Sequence, residues 1–297
     1  MTATSGTDLS SKDLASWRRR LRQHLTVVRN LPWRATRDPW PILVSEVMLQ
    51  QTQVSRVIEA WPRFLSLFPD PQSCSSAGQA DVVRAWEGLG YHRRAVALFG
   101  AARTIVDRFG GSVPQGEEDL RSLPGVGIYT ARAVQAFAFE RDVGVVDTNV
   151  ARVLSRAVAG QSLRARATQE LADALVPSGS GWEHNQALLD FGALRCTSTP
   201  SCSGCPLRRS CRWARTGFAV PDPAASTAGT ARPQAPFAGS DRQVRGRLLD
   251  LARRDEGTPD RLGDLEEEFG EVRVSRLIED LVKDELLCLK SSQIVLR

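Results

Sequence analysis

Between Lys12 and Lys283 the chain has no lysine, so any chemistry in that span that needs a neutral amine as nucleophile is excluded. It also lacks a run of about 18 apolar residues, the length a membrane-spanning helix needs. Its first residues, MTATSGTDLSSKD, do not follow the basic-then-apolar order of a signal peptide. No membrane partner is therefore expected, and the expected location is cytoplasmic. Histidine is scarce, and His92 reads as a surface residue, not a base. Cysteine is confined largely to one place: four of the six, Cys196, Cys202, Cys205 and Cys211, fall within sixteen residues. Cys74 and Cys288 stand alone and read as small buried side chains.

The 297 residues can bury one large core or two moderate ones, and 42% apolar content is ordinary for a globular protein. The net charge of +5 hides an asymmetry. Residues 1–240 carry 28 basic against 20 acidic side chains, whereas residues 241–297 carry 11 against 14. A basic surface belongs to the first part. It suits a polyanion such as DNA, and a solvated arginine-rich face accounts for it as well.

Residues 16–25 form an amphipathic pattern with basic residues at Arg18, Arg19, Arg20 and Arg22. Three prolines and interleaved Trp and Arg mark residues 31–41 as an ordered loop, in which Trp33 and Arg34 could stack on a base or pack the loop down. The stretch Ser45-Glu46-Val47-Met48-Leu49-Gln50-Gln51-Thr52-Gln53 reads as one helix, starting near Ser45 with Glu46 in its first turn. A carboxyl beside Leu43, Val44 and Val47 would hold its proton, as a general acid must. Alternatively, Glu46 merely complements the helix dipole.

Helical periodicity runs on to Gly88-Leu89-Gly90-Tyr91-His92-Arg93-Arg94, where two glycines bracket a turn whose Tyr91, Arg93 and Arg94 could touch a sugar-phosphate backbone. Residues 117–122, Leu123-Pro124-Gly125-Val126-Gly127 and residues 128–139 read as helix, glycine hairpin, helix. Gly125 and Gly127 there admit positive φ and close approach of a phosphate. The apolar run 143–146 ends in Asp147-Thr148-Asn149 ahead of another helix, so Asp147 sits at a helix N-terminus that favours its ionised form. An ordinary N-cap explains it equally well.

An acid and an anion with opposed pKa tendencies are what cleavage of a glycosidic bond requires. The bond between a base and its sugar fits the scheme, given extrusion of the base and a polar wedge, for which Gln50 and Gln51 are candidates. The spacing Cys196-x5-Cys202-x2-Cys205-x5-Cys211 suits zinc or a [4Fe-4S] cluster. Its single short knuckle favours iron–sulfur.

Over residues 12–215 the motifs LPWR (31–34), SEVMLQQTQV (45–54), GLGYHRRA (88–95), LPGVGIYTARAV (123–134), VDTNVARVL (146–154), QALLDFGALRC (186–196) and the four cysteines together resemble the helix-hairpin-helix (HhH-GPD) DNA glycosylases, specifically the MutY-type branch. The resemblance implies an all-α, two-lobed fold with a [4Fe-4S] cluster on the four cysteines. It also implies an enzyme that removes mispaired adenine from double-stranded DNA, working as a monomer at the nucleoid. It casts Glu46 as the acid that protonates adenine and Asp147 as the carboxylate that supports the oxocarbenium ion, the two facing each other across the extruded nucleoside. Asn149 helps hold Asp147, Gln51 is the wedge, and Asp190 lies near the adenine pocket. Tyr129 stands where the bifunctional relatives carry a Schiff-base lysine, which agrees with the missing lysines: base removal without efficient strand cleavage.

This sequence departs from the family pattern in three places. The first cysteine gap is one residue shorter than the usual six. VDTNV replaces the more usual LDGNV, and TRDP with LLDFGA also resembles mismatch thymine glycosylases of the superfamily, which lack the EVMLQQT and GLGY signatures, so thymine or uracil removal is an alternative, and a non-catalytic lesion-binding protein is another. Residues 218–240 read as a linker, and residues 241–297 as a small winged-helix-like α+β domain: helices at 241–254, 260–268 and 272–285, then strands at 286–290 and 293–296. That acidic tail stands in place of the larger domain with which the branch reads 8-oxoguanine. It argues for docking or packing, with no partner identified, and for a reduced preference for adenine opposite 8-oxoguanine over guanine. The expected division is thus a glycosylase domain at 1–217, the linker and the tail.

Overall fold

The computed structural model describes residues 9–229, 236–291 and 293–297. Over these, the regular elements are helices apart from one C-terminal hairpin. The chain forms two compact units: Met1–Ile42, Gln115–Glu117 and Gly127–Arg232 make the first, and Leu43–Pro114, Glu118–Val126 and Pro233–Arg297 the second, each so far as it is described.

The first unit opens with the helix Ser11–His24, which starts earlier than its apolar pattern indicates because Ser10 and Asp13 form a capping box. Trp17 and Leu21 are its buried side, and Arg18 Nε donates to the Ala174 carbonyl at the end of the helix Ala165–Leu175. The helix Gly181–Leu194 is buried along most of its length, His184, Asn185 and Asp190 included. Gly192 lets it approach the turn at Asn149, since a Cβ there would lie 2.6 Å from the Asn149 carbonyl oxygen. Asn185 fastens the preceding apolar strand-like run: its side-chain oxygen accepts from Val145 N–H and its amide donates to the Val143 and Gly181 carbonyls. That fixes the path of the chain into Asp147.

The helix Thr148–Val153 passes into a fully buried π-helical turn, Leu154–Ala159, closed by Gly160 at φ 70°. Residues 218–229 do not behave as a free linker. Asp222 pairs with the guanidinium of Arg156 at 2.6 Å, and buried Thr227 accepts from Leu163 N–H. Residues 230–235 of the expected linker lie outside the described residues.

In the second unit the helices Val54–Leu67, Pro71–Ala77, Gln79–Ala85 and Arg93–Phe109 surround a core that includes Phe64, Trp86, Leu98 and Ile105. Phe64 meets both Phe68 and Trp86 edge to face. The tail matches its expected order closely: helices Asp241–Arg253, Pro259–Phe269 and Glu271–Lys283, then the antiparallel pair Leu287–Lys290 and Gln293–Leu296, with Leu287 opposite Leu296. It packs within this unit. Arg253 Nη2 lies 2.9 Å from His92 Nε2, Asp284 pairs with Arg93 at 2.9 Å, and Gln79 donates to the Glu285 carbonyl. His92 is accordingly covered and not a free surface residue. Burial and the neighbouring Arg253 push its pKa down to about 3.

Candidate active site

Glu46 occupies a different place on its helix than its neighbours in sequence indicate. The helix is Pro39–Leu49: Pro39 takes the first position and the Asp38 carboxylate accepts from Trp40 N–H, so it begins six residues before Ser45. Glu46 lies in the second half, 4% exposed, on a helix whose residues from Ile42 to Met48 are all buried. A carboxylate there gains nothing from the helix dipole, whose favourable end is the other one, so dipole complementation does not account for Glu46.

Gln50, Gln51 and Gln53 lie beyond this helix. They form a turn in which Gln51 is exposed with φ 56°, a left-handed conformation that costs a non-glycine residue about 1–2 kcal/mol. The GLGY turn is also left-handed, at Gly88, Gly90 and Tyr91, whose φ is 49°. Tyr91 is exposed, and Arg93 is exposed with Asp284 against it. Arg94, grouped with them by sequence, turns inward. Among the described residues it forms no ion pair, and its guanidinium donates instead to the carbonyls of Val47, Met48, Gln50, Leu89 and Gly90 and to Thr52 Oγ1.

At the glycine hairpin, Gly125 has φ 75° and its α-hydrogen faces Ala97, whose Cβ a side chain would strike at 2.7 Å. Gly127 differs from expectation. Its φ of −88° is open to any residue, and what it contributes is an uncovered N-terminus for the helix Ile128–Phe137. Half-buried Tyr129 and buried Thr130 lie in the first turn of that helix.

In the first unit, Asp147 caps the helix Thr148–Val153. One oxygen accepts from Val150 N–H at 2.7 Å and the other from Asn149 Nδ2 at 2.5 Å. The Asn149 side-chain oxygen accepts from Arg152 Nη2 at 2.6 Å, and Arg152 Nε donates to the Cys196 carbonyl at 3.1 Å. Asp147 is thereby wired to the first of the four cysteines. Dense packing raises its pKa, the hydrogen bonds from Val150 and Asn149 oppose that, and packing prevails. The helix N-terminus alone pointed the other way. Arg152 was legible as an i, i+3 partner of Asn149, yet nothing in the spacing identified its second partner.

Asp190 is 1% exposed at its side chain and fully engaged. Its carboxylate accepts from Val28 and Arg29 N–H at 2.7 and 2.8 Å, from Arg29 Nε at 2.5 Å and from both Nη atoms of Arg34 at 3.0 and 2.7 Å. Burial raises its pKa, but the bonds from Arg34, the two backbone N–H groups and Arg29 overcome this and hold it well below the carboxylate range. It thus anchors the turn Pro32–Arg34, in which Trp33 is buried.

Cys196, Cys202, Cys205 and Cys211 line a single pocket. Arg156, Arg195 and Arg208 share its wall. Arg156, 2% exposed, reaches Cys196 Sγ at 3.6 Å and donates to the Thr197 carbonyl. Among the described residues no three His, Cys, Asp or Glu side chains converge as ligands of one ion. An all-thiolate donor set that does not converge on one point, with arginines to offset negative charge, fits a multi-atom cluster better than a single zinc. Cys74 is buried, its thiol pushed up to about 12, whereas Cys288 is only partly covered.

A turn-and-helix hairpin, a carboxyl set inside a helix and a second one wired to a four-cysteine loop define a class, and the comparisons agree with it. Residues 44–178 match the model of the HhH-GPD superfamily base excision DNA repair proteins. The adenine DNA glycosylase of Mycolicibacterium smegmatis is 44% identical over 257 residues, covering 84% of this chain and 82% of that one. Among solved structures, a thermostable thymine-DNA glycosylase aligns with TM-score 0.60 at 28% identity, over 69% of this chain and 95% of the other. Endonuclease III in a trapped covalent DNA intermediate aligns with TM-score 0.58 at 21% identity, over 71% and 100%, a likeness of fold. The chain belongs to the HhH-GPD superfamily, and within it to the family of the adenine DNA glycosylases. No described helix is long and apolar enough to cross a membrane.

Proposed function

We propose that this chain is a monofunctional adenine DNA glycosylase of base excision repair, which hydrolyses the N-glycosidic bond of adenine mispaired with 8-oxoguanine or guanine in double-stranded DNA. The observation that carries the reading is Glu46, a carboxyl buried at 4% exposure in the half of its helix where the dipole disfavours an anion. Such a placement costs stability and is accounted for by a proton to deliver. Glu46 gives that proton to adenine N7, the bond from N9 to C1′ breaks with its electron pair going to the base, and water adds to C1′, losing a proton to solvent. Asp147, held by Val150 N–H and Asn149, supports the positive charge that develops on the sugar.

Tyr129 stands in place of the Schiff-base amine, so base removal proceeds without efficient strand cleavage. Gln51 enters the base stack with Gln50 beside it, Tyr91 meets the sugar-phosphate backbone, and Trp33, Arg34 and Asp190 shape the base pocket. Arg93, Gly125 and Gly127 meet the backbone. Cys196, Cys202, Cys205 and Cys211 would hold the [4Fe-4S] cluster, which supplies structure to the loop and not the hydrolytic chemistry. Iron and sulfide at four each per chain are expected, and stoichiometric zinc in their place would refute this part. Residues 1–217 act as the glycosylase and 241–297 as a packed tail, at the nucleoid in the cytoplasm.

The deciding experiment is a single-turnover panel of duplexes holding A, T or U opposite guanine or 8-oxoguanine. Release of adenine alone is expected. Preference for 8-oxoguanine over guanine opposite adenine should be small, and a large preference would refute that part. The thermostable thymine-DNA glycosylase keeps thymine release as the second reading.

A further inference from the structure

Gln51 and Tyr91 both stand in left-handed backbone conformations, and one guanidinium holds the peptide just ahead of each. Arg94 Nη1 donates to the Gln50 carbonyl at 2.6 Å and Nη2 to the Gly90 carbonyl at 2.9 Å. The same Nη1 reaches the Val47 and Met48 carbonyls at 3.0 and 2.8 Å, which are orphan acceptors in the last turn of the helix that carries Glu46. Nη2 also serves Thr52 Oγ1 at 2.9 Å and the Leu89 carbonyl at 3.1 Å. The guanidinium rests over the buried ring of Trp86, 5.4 Å from its centroid, and Trp86 Nε1 donates to the same Gly90 carbonyl at 3.1 Å. Three pieces of chain meet on one planar fork: the end of the Glu46 helix, the turn at Gln51 and the turn at Tyr91.

The geometry points to Arg94 as a positioning residue for base extrusion: it locks the Gln51 and Tyr91 turns to each other and to the Glu46 helix. This rests on the reading of the chain as a base-extruding glycosylase. A cation without a carboxylate partner is stable here because it faces carbonyl dipoles at a helix C-terminus, and burial lowers its pKa only to about 10, so it stays charged. The planar fork is essential. Lysine keeps the charge but offers one nitrogen, which cannot serve both turns at once.

The test uses the full chain with Arg94→Lys and Arg94→Met, on a duplex with adenine opposite 8-oxoguanine and 2-aminopurine beside the adenine. Unstacking is followed by fluorescence, adenine release by single-turnover kinetics, binding by titration and folding by thermal unfolding. Misplacing groups by about 1 Å costs up to roughly 100-fold in rate, so Arg94→Lys should slow unstacking and release together by about 10- to 100-fold while duplex affinity changes only severalfold. Wild-type unstacking in Arg94→Lys overturns the assignment. So does loss of binding and folding in both variants, which would make Arg94 structural only. Should the wild type unstack the duplex yet release no adenine, the proposed function fails while this inference stands.

Discussion

Replacing Asp190 by Asn separates an anchoring role from direct contact with a base. Asn keeps the shape and one carbonyl oxygen but substitutes an NH₂ group for the other acceptor. Five donors converge on the native carboxylate: three on one oxygen (Val28 N–H, Arg29 N–H, Arg34 Nη1) and two on the other (Arg29 Nε, Arg34 Nη2). Whichever way the amide is turned, its two N–H bonds face at least two donors, and two guanidinium groups lose their counter-charge in a setting where Arg34 is 6% exposed. Charge-assisted hydrogen bonds contribute roughly 1.5–3 kcal/mol each and breaking a buried pair costs about 3–5 kcal/mol. A loss of about 3 kcal/mol is therefore expected, or roughly 6–12 °C in the melting midpoint of a chain this size. Thermal unfolding at neutral pH measures it. A shift under about 2 °C, with adenine release abolished, would refute the anchoring argument and move Asp190 to the base itself.

Other consequences are as direct. Arg152→Gln breaks the link from Asn149 to the Cys196 carbonyl; adenine release should fall by about 10- to 100-fold, as for other supporting residues, and the proposed iron–sulfur cluster should be lost faster in air, read by its absorbance. Gly192→Ala pushes a methyl to 2.6 Å from the Asn149 carbonyl oxygen and should cost about 1–3 kcal/mol by overpacking, measured by denaturant unfolding. His92 and His184 are held neutral by burial, with pKa values pushed down to about 3 and about 4, whereas the unfolded chain takes up protons near pH 6.5. Stability from these two residues is complete above that pH and is lost as the pH falls toward 4. By pH 5 the loss should be about 2 kcal/mol for each, and His92→Gln should lessen the slope.

The tail was legible almost to the residue because each of its helices carries its own apolar stripe and its own start and stop residues. The Glu46 helix was misplaced for a definite reason. Asp38-Pro39 is a helix start, but next to Pro32 and Pro41 it reads as more loop, although proline is tolerated in a first turn. The two carboxylates, the glycine hairpin and the four cysteines stood out because their chemistry is rare at those spacings. What sequence could not convey is where an arginine points. Arg93 and Arg94 are adjacent, yet one is exposed and the other half-buried among carbonyls up to 47 residues away. Asp190 likewise finds its partners some 160 residues distant.

The central claim is that Glu46 delivers the proton that releases the base. Glu46→Gln removes that proton while keeping the size of the side chain. Its single-turnover adenine release from a duplex with adenine opposite 8-oxoguanine should fall by at least about 100-fold while duplex affinity holds. A rate within a few fold of the parent, at equal affinity, would contradict the account.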